Sequence, residues 1–581
     1  MKIIRSILSV FFLELIFIPV FSQTEKLPVF LVITDDTPWK EVAIRGTVQP
    51  DSLSILKNLA DVLEDMLQEG YLSASIDSTI TENGRITAFC HKGMRFSWAK
   101  VSFDSIDQKV LRKADININK YRNKMIDPRQ LIRDQRKLVG IYENSGYPFA
   151  SARLAKMSFN GNMTEGVMLI YKGPLIRIDS IIVKGNSKIS LKYLKKQIGL
   201  DKYDLYQEKK IIAISDRIKE TTFLREIKPF EVEFRKNSAD IYTYLEKNRA
   251  NQFNGIIGII PNNEITGKLL LTGEVNFSLA NLFGRGILFN MDWKKLEPLT
   301  QELNVNASYP YIFNSSIGVG INLSLLKQDT TYFRAEPEIE LRYFFRGSSW
   351  LRLFYMSQVS SVPGSSGTSE TGILPPFAEY KTSLYGAGIR FSRLDYQLNP
   401  KRGVYIRGDV SIGSKKIRKD NNADNYALEN VDPSSKKTVL TSGIYAYFPL
   451  GGNFVLHLRN LDGMMFNKTL FENELFRLGG IQNLRGMDEN SVTASSYVTG
   501  SVELRYLFEE QSNLFLFFDG AWWEKKIPAG NNKDTPLGFG IGMNLQTRAG
   551  IFTLSWALGR QYGNPVNIGT AKIHIGYIQR F

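Results

Sequence analysis

The residues of this chain that could do chemistry are few and far apart. His91, His457 and His574 stand in unrelated contexts, without the neighbours that a general base, a metal-ligand set or a nucleophile elbow needs. Cys90 is the only cysteine, so no intramolecular disulfide forms and its thiol reads as a small buried apolar group. No catalytic residue, metal site or cofactor is expected, and the chain reads as a non-enzyme. The formal charge of +15 is spread through the sequence with acids interleaved, and no nucleic-acid motif accompanies it. What remains is the chemistry of isolated charges in apolar surroundings. Arg485 sits in the glycine-rich run Arg477-Leu478-Gly479-Gly480-Ile481-Gln482-Asn483-Leu484-Arg485-Gly486-Met487, and Asp519 in Phe517-Phe518-Asp519-Gly520-Ala521. By spacing alone, they are an ordinary loop arginine and an ordinary strand carboxylate.

The elements that hold these segments give them a setting. Lys2 and Arg5 precede an apolar run from Ile7 to Val20 and then Phe21-Ser22, the pattern of a secretory signal peptide over 1–22. The run is short and carries Glu14, and no cysteine follows for a lipid anchor. Beyond residue 22 no apolar stretch reaches ~18 residues, so a mature chain that crosses a membrane must do so as a closed barrel. Texture changes near residue 250. Before it, a β-α-α-β-β unit recurs over 27–95, 96–173 and 174–250. The first is the least regular, with a helix expected to bury Leu53, Leu56, Leu59, Ala60, Leu63, Met66 and Leu67.

From 251 to 581, about sixteen period-two strands follow, an even number as bacterial single-chain barrels require. Ile287, Phe289, Met291 and Trp293 alternate with Leu288, Asn290, Asp292 and Lys294; Val404, Ile406, Val410 and Ile412 oppose Tyr405, Arg407, Asp409 and Ser411. Alternation alone also suits a soluble sheet. Connection lengths favour the barrel: 361–377, 413–436 and 461–495 are long, whereas 395–402, 449–452, 509–511 and 547–549 are tight, as outer loops and periplasmic turns should be. The expected fold is therefore α+β domains followed by an all-β transmembrane barrel of about sixteen antiparallel strands.

Several segments carry a resemblance to a known family. The run through Leu484-Arg485-Gly486-Met487 resembles the loop motif of the BamA and TamA superfamily (the bacterial surface antigen family), and Phe517-Phe518-Asp519-Gly520-Ala521 resembles its Phe-x-Asp-x-Gly strand. Asn281-Leu282-Phe283-Gly284-Arg285-Gly286, Tyr309-Pro310-Tyr311-Ile312-Phe313 and Asp395 to Gly403 resemble its periplasmic turns, and the N-terminal units resemble POTRA domains. Three such units bring the chain nearest to TamA-like members. Met487 and Ala521 depart from the family's aromatic and glycine. The resemblance implies that Gly479, Gly480, Leu484, Arg485, Gly486 and Met487 fold into the lumen with Arg485 paired to Asp519. It further implies a lateral seam between the first and last strands, here Phe253–Ile260 against Ile573–Phe581, where Gly255, Gly258 and Gly576 add little packing and Phe581 ends the chain.

The implied function is assembly, insertion or translocation at the bacterial outer membrane. POTRA-like domains in the periplasm would receive unfolded outer-membrane or secreted polypeptides, the seam would template them, and outer-membrane lipid and a periplasmic or inner-membrane protein would be partners. A dedicated two-partner-type secretion transporter is the alternative; a diffusion porin or receptor, which has no use for such domains, comes last.

Overall fold

The computed structural model describes residues 27–35, 40–48, 52–82, 85–104, 106–260, 270–295, 299–363, 376–397, 399–418, 431–481, 483–509, 511–547 and 550–580. The expected signal peptide at 1–22 lies outside them. The described residues form two compact units, one ending at Ile176 and taking in Leu205–Glu208, the other holding the rest of the chain from Arg177.

The first unit contains two α/β domains, each with a four-stranded sheet. In the first, Leu27–Ile33 pairs with Lys40–Val48 on one side and runs parallel to Arg85–His91 on the other, with Ser75–Glu82 beyond. One helix, Ser52–Gln68, covers this sheet, and the β-branched-rich segment Lys40–Val48 supplies an extra strand where a second helix would complete the repeat. The helix is rotated from expectation. Ile55, Leu59, Val62 and Met66 face Val29, Leu31, Ile86, Ala88 and Cys90, whereas Leu53 and Leu56 are 78% and 65% exposed. The stripe at i, i+4, i+7 and i+11 follows helical pitch more closely than the expected set, and the sheet selects it. In the second domain Ser97–Ser102 runs parallel to Met163–Tyr171, between Arg122–Met125 and Ser151–Asn160. Its helix Pro128–Glu143 starts with Pro at the first turn and the Asp127 carboxylate accepting the Gln130 N–H at 2.9 Å. Leu138 packs with Trp98, Leu111, Tyr121 and Met168, and the buried Tyr121 hydroxyl donates to Asp134 at 2.8 Å.

The second unit opens with a third α/β domain, in which Arg177–Lys184 runs parallel to Ser238–Lys247 and Leu224–Phe234 forms the edge. In all three domains the first strand lies parallel beside the last, which requires a crossover; helices fill it because parallel strands cannot be joined by a tight turn. The helix Leu191–Ile198 and the turn after Ile214–Lys219 meet the periplasmic turns of the barrel. Ser190 N–H donates to Gly284 O at 2.7 Å, the Tyr311 hydroxyl to Gln197 at 3.0 Å, and Ser348 N–H to the Glu220 carboxylate at 2.7 Å. A Cβ on Gly286 would strike the Tyr193 ring, which packs on Tyr311 with centroids 5.4 Å apart.

The barrel has sixteen antiparallel strands, from Gln252–Ile260 to Lys572–Arg580, the fourteenth interrupted between Gly530–Asp534 and Leu537–Gln546. Adjacent strands pair in sequence order throughout, so each hairpin is local and the register follows from turn length. Side chains alternate as the sequence implies. Ile339, Leu341, Val410, Ile412, Ile573 and Ile575 are exposed toward lipid, while Glu338, Glu340, Lys415, Lys437 and Asp519 are buried inside.

Candidate functional site: the lumenal loop and the seam

The loop between the eleventh strand, Phe454–Phe466, and the twelfth, Ser496–Glu509, folds into the barrel. Gly479 and Gly480 have φ of +113° and +95°, and a Cβ on either would meet Asp488 O or Glu489, so only glycine allows this turn. Gly479 N–H donates to the Asn483 side chain at 2.8 Å, and Leu484 N–H closes on Gly480 O at 3.2 Å. The resulting tip buries Leu484 and presents Arg485.

Arg485 is 5% exposed and every face of its guanidinium is used. Nε and Nη2 donate to the two oxygens of Asp519 at 2.8 and 2.7 Å, a bidentate fork, and the Arg485 backbone N–H adds 3.1 Å to Oδ2. Nη1 donates to Glu503 at 2.8 Å and Nη2 to Ser501 at 2.9 Å. The plane stacks on Phe517 at 3.7 Å from the ring centroid. Strand register sets this pocket: Ser501 on the twelfth strand is directly opposite Asp519 on the thirteenth, and donates to it at 2.6 Å. Arg459 lies 4.0 Å from Asp519, and Arg505 donates to the other Glu503 oxygen at 2.5 Å.

The backbone of the tip lies against two glycines of the wall. A Cβ on Gly538 would occupy the place of Arg485 O, and one on Gly559 that of Gly486 O. Gly486 itself has φ +88°, and buried Met487 reaches Gly559. Met487 thus fills space beside a glycine. Ser501, Glu503, Gly538 and Gly559 were not singled out from the sequence. The alternation of Ser501 and Glu503 on one strand face was a usable signal, but only the register shows that they oppose Asp519.

A second fixation point of the same loop was also missed. Glu474, fully buried, receives Lys415 and Lys437 from the ninth and tenth strands, Lys437 at 2.7 Å and Lys415 as a close pair. Lys415 also donates to Thr469 O at 2.8 Å, and Lys437 to Gln358 at 3.1 Å. Neighbouring Asn473 donates to Ser360 and to Ala378 O, both at 2.8 Å. Two unpaired-looking lysines and a glutamate in a loop carry no sequence signature.

At the seam, the first and sixteenth strands are joined among the described residues by two residue pairs, Gln252 with Arg580 and Phe253 with Gln579, where a ladder along Phe253–Ile260 was expected. Gly255 and Gly258 instead oppose Val275 and Thr272 of the second strand, and Gly576 opposes Thr553 of the fifteenth. Phe581 lies outside the described residues. Of the histidines, His91 contacts Asp35 at 2.5 Å, and His457 stacks on Tyr447 at 4.5 Å inside the barrel.

A family model, the Omp85 superfamily domain, matches residues 281–581, more than half of the chain and all of the barrel but its first strand and most of its second. The chain belongs to the Omp85 superfamily. Among curated proteins, the outer membrane protein assembly factor BamA of Nitratidesulfovibrio vulgaris is 20% identical over 538 residues, 87% of this chain and 64% of that protein. This Omp85 chain thus spans less than two thirds of that relative's length. Solved structures with the same architecture include CdiB from Escherichia coli, at TM-score 0.52 and 13% identity over 90% of this chain and 97% of that one. CdiB from Acinetobacter baumannii gives 0.51 and 12% over 91% and 97%. As an Omp85 protein it lies in the outer membrane with its N-terminal domains in the periplasm.

Proposed function

We propose that this Omp85 protein is an assembly factor that receives unfolded polypeptides at its periplasmic domains and templates their insertion along the edge of its first strand. The observation that carries this reading is the seam. Among the described residues, two residue pairs join the first and last strands, against seven between the third and fourth strands and fifteen between the eighth and ninth. Pairing among the described residues is thus sparse at the seam, where opening would expose the edges of the first and last strands, and an open edge is a template for another strand. The clasped loop supports a fixed lumen rather than a free diffusion path. Arg485 and Asp519 would hold the loop against the strands next to the seam side of the wall, Gly479, Gly480, Leu484, Gly486 and Met487 shaping its tip, while Gly255, Gly258 and Gly576 keep side-chain bulk low on the strands that must part.

A transporter for one dedicated passenger shares this architecture, and the client repertoire distinguishes the two. Depletion should remove many barrel proteins from the outer-membrane proteome; loss of a single secreted polypeptide would replace the assembly reading with the transporter. The seam is tested by Phe253→Cys with Gln579→Cys in a Cys90→Ser background. Oxidation should block client insertion and reduction should restore it. Full insertion by the cross-linked protein would refute opening at the seam.

A further inference from the structure

The outer face of the wall whose inner face carries Lys415 and Lys437 has polar groups among its lipid-facing positions. On the eleventh strand the inward positions are fixed by His457, Arg459 and Leu461, so Phe454, Leu456, Leu458, Asn460, Asp462, Met464 and Phe466 face outward. Asn460 and Asp462 thus lie in the middle of an apolar series. Ser442, outward on the tenth strand and directly opposite Asp462, donates to its Oδ2 at 2.8 Å; Asn460 donates to Oδ1 at 2.9 Å. A carboxylate on a lipid-facing wall is unfavourable, and these two donors fill about half of its roughly four acceptor sites. The cluster lies in a groove of about 780 Å³ walled by Leu351, Ile389, Val410, Leu440 and Met464, with Ala387 and Gly408 as its floor. A Cβ on Gly408 would meet no atom closer than 3.9 Å, so the floor is open.

Directly above, at the outer ends of the eighth, ninth and tenth strands, Lys381, Lys416 and Lys436 face outward and are exposed. Lys381 and Lys416 are a directly opposed cross-strand pair, and Lys436 is opposite Ser414, two residues along from Lys416. Like charges in such a pair repel unless an anion lies between them. Among the described residues none of the three has a carboxylate partner. Lys436 is six residues from Ser442 on one strand, ~20 Å along it and ~15 Å in depth at the usual barrel tilt.

We propose that this wall is a binding site for one outer-leaflet lipid: a phosphorylated headgroup on Lys381, Lys416 and Lys436, an acyl chain in the groove, and a hydroxyl or amide on the acyl region donating to Asp462. The lysines select an anion, the aliphatic walls an acyl chain, and Asp462 a donor that a plain hydrocarbon chain lacks. An apolar protein segment would fill the groove but would leave the lysine pair unopposed.

The full chain, in phosphatidylcholine nanodiscs doped with a diphosphorylated glucosamine lipid bearing 3-hydroxyacyl chains, its deoxyacyl analogue, its dephosphorylated analogue or phosphatidylglycerol, is analysed by native mass spectrometry. The hydroxyacyl, phosphorylated lipid should be retained about tenfold more than any of the other three, as expected for one charge-assisted hydrogen bond or one phosphate contact. Asp462→Leu should abolish discrimination between hydroxyacyl and deoxyacyl chains yet keep the dependence on phosphate. Lys381→Ala with Lys416→Ala and Lys436→Ala should do the reverse. Heat-modifiable gel mobility verifies that each barrel is folded. Equal retention of all four lipids, variants that discriminate as the parent does, or a photo-cross-linker at Val410 that captures protein instead of lipid in whole membranes would each overturn the proposal.

Discussion

At the scale of single residues, the lumen is organised by charges that no solvent shields fully. Arg485 neutralises two carboxylates at once, so Arg485→Ala should strand both Asp519 and Glu503. A broken buried pair typically costs ~3–5 kcal/mol, less in a wet lumen; Arg459 and Arg505, close to the two acids, reduce it further. Arg485→Lys should recover little, because an ammonium cannot make the fork to Asp519 while also reaching Glu503 and stacking on Phe517. Removing both partners, as Arg485→Met with Asp519→Leu, should be milder than Arg485→Ala alone. The midpoint temperature of heat-modifiable mobility checks all three. At the second clasp, Glu474→Gln leaves two buried ammonium groups facing each other, and limited proteolysis should then cut near 467–475 in the variant sooner than in the parent. Of these two clasps, the sequence made only one legible. Arg485 and Asp519 lie in segments with glycine and aromatic neighbours that resemble a family motif, whereas Glu474, Lys415 and Lys437 are common residues whose meeting depends on the register of the ninth and tenth strands and the path of a loop.

At the scale of elements, backbone proximity replaces charge. The tip of the loop touches the fourteenth and fifteenth strands at Gly538 and Gly559, with no room for a methyl group at either. Gly538→Ala should therefore displace Arg485 and lower thermal stability about as much as Arg485→Ala, although it removes no charge; unchanged stability would mean that the loop has freedom the geometry denies. The contact between the third α/β domain and the barrel has a pH dependence of its own. Burial pushes the Glu220 carboxyl above its ordinary value, against the lowering effect of the Ser348 N–H and of Arg346 and Arg217. A raised acid contributes stability that is present below its unfolded pKa and is lost as pH rises through the folded value. Protection of the Gly347 and Ser348 amides from hydrogen exchange, taken relative to their intrinsic rates at each pH, should accordingly be greater at pH 4.5 than at pH 7, and Glu220→Gln, which keeps an acceptor without the charge, should flatten that difference. The elements themselves were largely legible, because period-two alternation and turn chemistry are local. The rotated helix Ser52–Gln68 was not, since Leu53 and Leu56 are as apolar as Ile55 and Leu59 and only the sheet decides which stripe is buried.

At the scale of the whole molecule, the division of the chain into two compact units places the third α/β domain with the barrel. The sequence shows three similar units and gives no reason to treat the third differently; the reason is its contact with the turns at Gly284, Tyr311 and Ser348, all long-range. A chain beginning at 174 keeps every one of these contacts and should still refold into lipid as a heat-modifiable barrel with the parent's midpoint. A chain beginning at 251 loses them all. It leaves Tyr311 without Gln197 and without the Tyr193 ring, and Gly284 O and Ser348 N–H without their partners, so several polar and aromatic groups that are buried in the parent become exposed or unpaired. The shorter chain should therefore unfold at a lower temperature and show faster exchange at the first three periplasmic turns. If the two truncated barrels behave alike, the third domain is an appendage like the others. If the longer one keeps the parent's midpoint but no longer supports client insertion, the first two domains act on clients and the third acts on the barrel.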